Sequence, residues 1–284
     1  MLSSKAGSIC LIGDISVDEF LKLNGFSRSF IKKFKFLKKF LNKKGTVKLP
    51  LNLVNNLLIF PYFFRQDCKV IFEDENIFAI HKPHNLHSHP LSYSEWDNCL
   101  SYLRKCGRSD ILKVNKDSYD RGLLYRLDFG TSGLLIFSKQ EKLIKIFRES
   151  PKKKYYLAIV QGRINAHFHY QHYIDYHGQK KRKACAAISE NPNSEIKGEL
   201  VAFNEKRQLS LVLVELSEGR RHQIRVQLSA AGFPIYGDVF YGAQAAERIF
   251  LHAYNYQFCL NGKNYNQKDS IFTYADQYFS IDDI

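Results

Sequence analysis

Acidic residues are missing altogether between Glu19 and Asp67, while nine Lys and Arg fall between Arg28 and Lys48. A stretch so one-sided cannot pair its charges internally, and it forms an electrostatic footprint for an anionic partner. Long apolar runs are missing too. None approaches the ~20 residues of a membrane-crossing helix. Ile9–Ile12 is too short for the apolar core of an export leader. The six cysteines, Cys10, Cys68, Cys99, Cys106, Cys185 and Cys259, contain no Cys-x-x-Cys pair. That scatter gives neither a local zinc motif nor a disulfide framework, so free thiols in a reducing cytoplasm are expected. Internal repeats and low-complexity tracts are also absent.

The residues present narrow the class. Lys and Arg total 42 against 28 Asp and Glu, a formal +14, which points to nucleic acid or an anionic membrane as partner. Hydrophobic residues make up 45% of 284 residues, enough for a sizeable core. The 22 Phe and 17 Tyr suit either that core or surfaces that stack on bases.

Two parts follow from the patterning, residues 1–60 and 61–284. The first is basic and helix-leaning. Val17–Leu23 reads as a short helix closed at Asn24-Gly25. Ser27 or Ser29 can cap a second helix, in which Phe30, Phe34, Leu37 and Leu41 make one apolar stripe. Arg28, Lys32, Lys35 and Lys39 lie on or beside that helix as candidate contacts to a phosphate backbone. Gly45 stops it, and Thr46–Leu49 reads as a strand. In the second part, strands are predicted at Val70–Phe72, Ile77–His81, Gly122–Tyr125, Leu134–Ser138, Tyr155–Val160 and Leu209–Leu216. Helices are predicted at Trp96–Lys105, Gln140–Glu149 and His222–Ala231. Without a regular βαβ rhythm, this is an α+β fold with a mixed, largely antiparallel central sheet and flanking helices. The N-terminal part adds a small basic α/β module.

Three segments carry the chemistry. In Tyr125–Leu135 a strand enters a tight turn holding Asp128, two Gly, Thr131 and Ser132. A strand-end Asp combines rigidity with solvent access, although an Asx-turn bonding its own backbone is the plainer reading. The Lys of a phosphate-binding loop is missing here, and Gly130–Gly133 is too short for a dinucleotide fingerprint. In Gly219–Leu228 a helix puts Arg225 and Leu228 on one face, and Arg221 and Arg225 four residues apart can face phosphate; a solvated basic face is the alternative. In Lys154–Gly162 a strand turns Tyr156 and Ala158 one way, so a base can stack on the ring, or the ring can simply fill the core.

Taken in order, these segments resemble the signatures of the RluA-type pseudouridine synthase family. Arg126-Leu127-Asp128 with Thr131–Leu134 is similar to its first, Lys154, Tyr156, Ala158, Val160 and Gly162 to its second, and Gly219–Arg225 to its third. Asp74-Glu75 leading to Lys82-Pro83, Gly232–Asp238 with Tyr241-Gly242, and Leu251-His252-Ala253 extend the resemblance over residues 68–262. The family implies that Asp128 attacks an extruded uridine, at sugar or base, and that Arg225 pairs with Asp128. It implies that Tyr156 stacks on the uracil and helps move the carbon-5 proton. Leu228 packs under the ring, Arg126 fills the gap left in the RNA, and Arg221 and Thr131 contact substrate. No metal and no cofactor are implied, because no electrons change hands. Tyr125 stands where His is common, Phe129-Gly130 replaces a charged pair, and Asn85 stands where Gly often follows the Lys-Pro turn. Residues 15–50 resemble an S4-type RNA-binding domain, with a plain basic arm as the alternative.

The resemblance thus predicts a cytoplasmic, monomeric RNA pseudouridine synthase, with ribosomal RNA as preferred partner and transfer RNA as runner-up. A non-catalytic RNA-binding protein on the same fold is the rival class, and a membrane or small-molecule binder is a third. His81, His84, His87 and His89 are read as loop histidines rather than metal ligands. No second carboxylate is marked out as a glycosidase partner for Asp128.

Overall fold

The computed structural model describes residues 8–10, 16–23, 41–44, 46–48, 63, 65–90, 97–115, 118, 120–177, 183–271 and 275–279. Near the N-terminus, Ser8–Cys10 (β1) pairs antiparallel with Thr46–Lys48 (β2), and Val17–Leu23 (α1) is the short helix expected. The helix expected over Phe30–Leu41, apart from its last residue, and the cations Arg28, Lys32, Lys35 and Lys39 lie outside the described residues.

Turn chemistry starts the main sheet. Lys69–Glu73 (β3) and Ile77–Lys82 (β4) are joined where the Asp74 carboxylate accepts hydrogen bonds from the backbone N–H groups of Asn76 and Ile77. Ser132–Ser138 (β5) follows beside β4. Both are buried along their whole length, so neither alternates polar with apolar. Further on come Lys152–Gln161 (β6), His167–His177 (β7), Lys183–Ala187 (β8), Ser194–Asn204 (β9) and Leu209–Leu216 (β10). Leu251–Leu260 (β11) and Lys263–Lys268 (β12) complete the sheet. Strand order is β3-β4-β5-β11-β6-β10-β9-β7-β8, with β12 on β11. Among the described residues, β5 with β11 is the one parallel pair, which makes the sheet mixed and largely antiparallel as expected.

Among the described residues, four α-helices accompany this sheet: Cys99–Lys105 (α2), Ser109–Leu112 (α3), Glu141–Glu149 (α4) and Gln223–Ala230 (α5). Asn98 caps α2 by accepting from the Ser101 N–H, so that helix starts later than the predicted Trp96. On α4 the buried Leu143, Ile144 and Phe147 make one face, and Phe147 meets Phe258 of β11 edge-on at 5.2 Å. In α5 every residue from Gln223 to Leu228 is buried, polar ones included, so its polar side chains need partners inside the protein.

One expected strand is corrected. Gly122–Tyr125 is a turn, and only Leu123 bridges to Phe137. Arg121 has a left-handed φ of 54°, and the Leu123 N–H turns back to the Asp120 carbonyl, which breaks the pairing.

Register matters most at the sheet's centre. Val214, Tyr156, Ala253, Gly133 and Lys82 form one row across β10, β6, β11, β5 and β4. The loop entering β5 is thereby held at the level of Tyr156. Gly133 has a φ of +116°, and a Cβ there would collide with the Ala253 backbone. Gly133→Ala is therefore expected to lower stability by about 3–5 kcal/mol. Urea unfolding checks this, and a loss below ~1 kcal/mol would show that the row is not constrained.

Candidate active site

The loop around Asp128 is fixed on both sides. The Leu127 N–H donates to Ser88 Oγ, and that hydroxyl donates to the Leu127 carbonyl, each at 3.1 Å. The Thr131 N–H closes the turn on the Asp128 carbonyl at 3.1 Å. Tyr125 donates to the Leu134 carbonyl at 2.8 Å, and its ring stacks on Tyr256 at 4.3 Å, nearly parallel. Beneath lies Lys82, fully buried, whose ammonium donates to the carbonyls of Pro83 (3.0 Å), Leu86 (2.7 Å) and Phe129 (3.3 Å). Burial pulls the Lys82 pKa down to about 8, while the neighbouring Asp128 carboxylate acts in the other direction. Asn85 takes the left-handed conformation the Lys-Pro turn requires, with φ 53°.

Arg225 reaches this loop from the first turn of α5. Its Nε and Nη2 grip Asp238 at 2.6 and 2.8 Å, and its Nη1 donates to Asp128 Oδ2 at 3.3 Å. The Tyr241 ring lies 5.1 Å from the guanidinium carbon. Burial weakens the proton hold of Arg225, but the hydrogen bonds and charge of Asp238, with Asp128 behind them, more than offset this and raise its pKa. Asp238 is buried and Asp128 is partly open, with 27% of its side chain exposed. The guanidinium is thus anchored on the closed side and presented on the open one.

Tyr156 comes up from β6, and its hydroxyl lies 3.3 Å from that of Tyr256. Burial pushes its phenol up to about 12; the Tyr256 hydrogen bond opposes the rise and the Asp128 charge adds to it. Lys154, two residues earlier on the strand, is held down to about 8 by burial and then by Lys152, and sits over the Tyr125 and Tyr256 rings. Asp128, Tyr156 and Arg225 line one open cavity of about 910 Å³. That is room for one nucleoside-sized group, with apolar walls from Leu216, Ile249 and Leu251.

This geometry agrees with what is found among known proteins. The model of the RNA pseudouridylate synthase family matches residues 76–230. The chain belongs to that family. Its relatives place it with the RluA-type enzymes. It is 29% identical over 205 residues to the ribosomal large subunit pseudouridine synthase D of Borreliella burgdorferi, covering 69% of this chain and 62% of that protein. It therefore spans less than two thirds of that relative's length. The dual-specificity RNA pseudouridine synthase RluA of Escherichia coli is 28% identical over 195 residues, 65% of this chain and 83% of that one. Human RNA Pseudouridylate Synthase Domain Containing 1 shares the fold, with a TM-score of 0.57 at 22% identity over 72% of this chain and 83% of its own.

Other expected residues of the pseudouridylate synthase site are placed as follows. Arg126 lies exposed at the rim, with Nη1 3.1 Å from His89 Nε2, and Arg221 lines the same rim. Thr131 is buried in the wall. Leu228 does not line the cavity: it is fully buried one turn deeper in α5, and the apolar wall comes from the three residues named above. Roles for Asp238, His222, Tyr241, Lys82 and Tyr256 were not read from the sequence. His81 is bonded to Asp269 at 2.7 Å and His87 packs on Phe129. Among the described residues, no group of three or more His, Cys, Asp or Glu is arranged to hold a metal ion.

Removing the buried ammonium strips three carbonyls of a donor. Lys82→Met is expected to destabilise the protein by about 2–4 kcal/mol at pH 7. The gap should widen between pH 8 and ~10.5. In that window the wild-type folded state holds fewer protons than its unfolded chain, so wild-type stability rises with pH and the variant lacks this gain. Denaturant titrations of both proteins at pH 7 and pH 10 test it; a gap that narrows would refute the burial assignment.

Proposed function

We propose that the protein is an RNA pseudouridine synthase that isomerises specific uridines, with large-subunit ribosomal RNA as its substrate. The observation carrying this reading is the 3.3 Å approach of Arg225 to Asp128 in a cavity that Tyr156 also lines. The guanidinium orients the carboxylate that attacks.

The target uridine leaves its stack and enters the cavity, and Arg126 at the rim occupies the vacated space. Asp128 attacks the ribose or the base. The bond from N1 to the ribose breaks, uracil turns, and C5 bonds to the same ribose carbon. One proton leaves C5 and one is taken up at N1, so the product is an isomer of the substrate. Tyr156 stacks on the ring. Its phenol, pushed up to about 12, stays protonated at neutral pH, so it can hand on a proton but does not act as a phenolate base.

Ribosomal RNA is favoured because the Borreliella burgdorferi relative is named for the large ribosomal subunit, and the basic residues 28–48 offer extra phosphate contacts. RluA of Escherichia coli is named for dual specificity, which keeps transfer RNA as second choice. Residues 1–60 act as an RNA-gripping module of S4-like character and residues 61–284 as the synthase, working as a cytoplasmic monomer.

Tritium release from RNA labelled at uridine C5 tests the activity. Wild type should release label, and Asp128→Asn should be slower by at least ~10³-fold. Equal rates would remove the isomerase assignment, and salt-sensitive RNA binding without turnover would favour a non-catalytic RNA-binding protein. Pseudouridine mapping after deletion should lose a large-subunit ribosomal position; loss from transfer RNA instead would reassign the substrate.

A further inference from the structure

We propose that His222 and Tyr241 form a positioning dyad that holds a second N–H against Oδ2 of Asp128, leaving Oδ1 as the oxygen that attacks. The proposal rests on the function proposed above and adds two residues to its machinery.

The dyad is read from the contacts around the Tyr241 hydroxyl. His222 Nδ1 lies 2.8 Å from the Tyr241 hydroxyl, and that oxygen also accepts the Ala184 backbone N–H at 3.2 Å. A phenol has one hydrogen to give. With Ala184 already donating to this oxygen, the proposed dyad points the phenol hydrogen at Nδ1. Nδ1 is then an acceptor, and the proton of the neutral ring sits on Nε2. Nε2 is 3.7 Å from Asp128 Oδ2, the same oxygen that takes Arg225 Nη1 at 3.3 Å. A contact of this length tightens to a hydrogen bond with a small shift of the loop, as sites without substrate often require.

The ring is neutral at physiological pH. Burial lowers the His222 pKa; Arg225 and Arg221 push the same way, while Asp128 and Asp238 oppose them. The Nε2–H is therefore a dipole and not a second cation. It adds to the hold on Oδ2 without quenching the nucleophile with another full charge.

His222 also sits in a conformation that a plain helix cap would avoid. It precedes α5 with φ 57°, left-handed for a residue with a Cβ, and its side chain makes no capping bond. Strain of this kind, about 1–3 kcal/mol, persists where surrounding contacts over-determine it. Here those contacts are Tyr241 and Asp128. Tyr241 in turn is set by the turn at Asp238, whose carbonyl accepts the Tyr241 N–H at 3.0 Å. One short segment thus supplies both Asp238 for Arg225 and Tyr241 for His222.

The test uses the full chain with histidine labelled by ¹⁵N. Wild type should show His222 with a protonated Nε2 and a bare Nδ1, and Tyr241→Phe should abolish that single tautomer. In single-turnover tritium release, His222→Leu and Tyr241→Phe should be slowed about 10-fold. RNA affinity should stay unchanged. His222→Gln, which can still donate, should recover most of the rate, a rescue that a merely structural role would not give. Protonation at Nδ1 in wild type, or full rates for folded His222→Leu, overturns the dyad. If wild type turns over no RNA, the function fails, and the nitrogen spectrum alone decides whether the tautomer lock is real.

Discussion

One guanidinium sits between two carboxylates of opposite setting. Arg225 gives two nitrogens to buried Asp238 and a third to half-open Asp128. The bidentate grip removes the rotational freedom of the head group, so the third donor points one way. A lysine could not do this, since a single ammonium carries no fixed fork. Removing either partner of a buried pair strands the other charge, at a cost of about 3–5 kcal/mol, so the clamp joins fold stability to site geometry.

Everything that reaches this clamp is fixed by long-range pairing. The sheet row through Tyr156, Ala253, Gly133 and Lys82 sets the level of the Asp128 loop. Lys82 then ties that loop to the Lys-Pro turn through three carbonyls. The cavity carries the exposed Arg126 and Arg221 at its rim and is lined by aromatic and apolar groups within. Rigid support below and a basic rim above suit the function proposed for this site.

Much of this was legible in the residues. Asp128, Tyr156 and Arg225 stand in short motifs that each admit a plain reading alone, and their order along the chain carries the resemblance. The helices at 141–149 and 223–230 lie within a residue of their predicted ends, because helical periodicity and stop signals such as Gly232 are local. Gly122–Tyr125 misled because its apolar residues look strand-like while a left-handed Arg121 folds the chain back. Strands β7, β8, β9, β11 and β12 are absent from the sequence reading; in β7 polar and aromatic residues alternate because one face is solvated, next to the edge strand β8. The resemblance and the helical spacing put Leu228 under the ring, whereas the structure buries it one turn deeper than the cavity wall, a depth that spacing does not encode. Lys82, Asp238 and Tyr241 could not be given roles, since each acts through a partner 13 to 47 residues away. Composition and periodicity say nothing about contacts at that range.

The central claim is that Asp238 acts on Asp128 only through Arg225. A double-mutant cycle on single-turnover pseudouridine formation measures this, using Arg225→Lys, Asp238→Asn and the pair. The account predicts strong non-additivity, with the double variant no slower than the worse single one within a few-fold. Additive losses, with the two effects multiplying, would contradict it by showing that Asp238 and Arg225 serve the site independently.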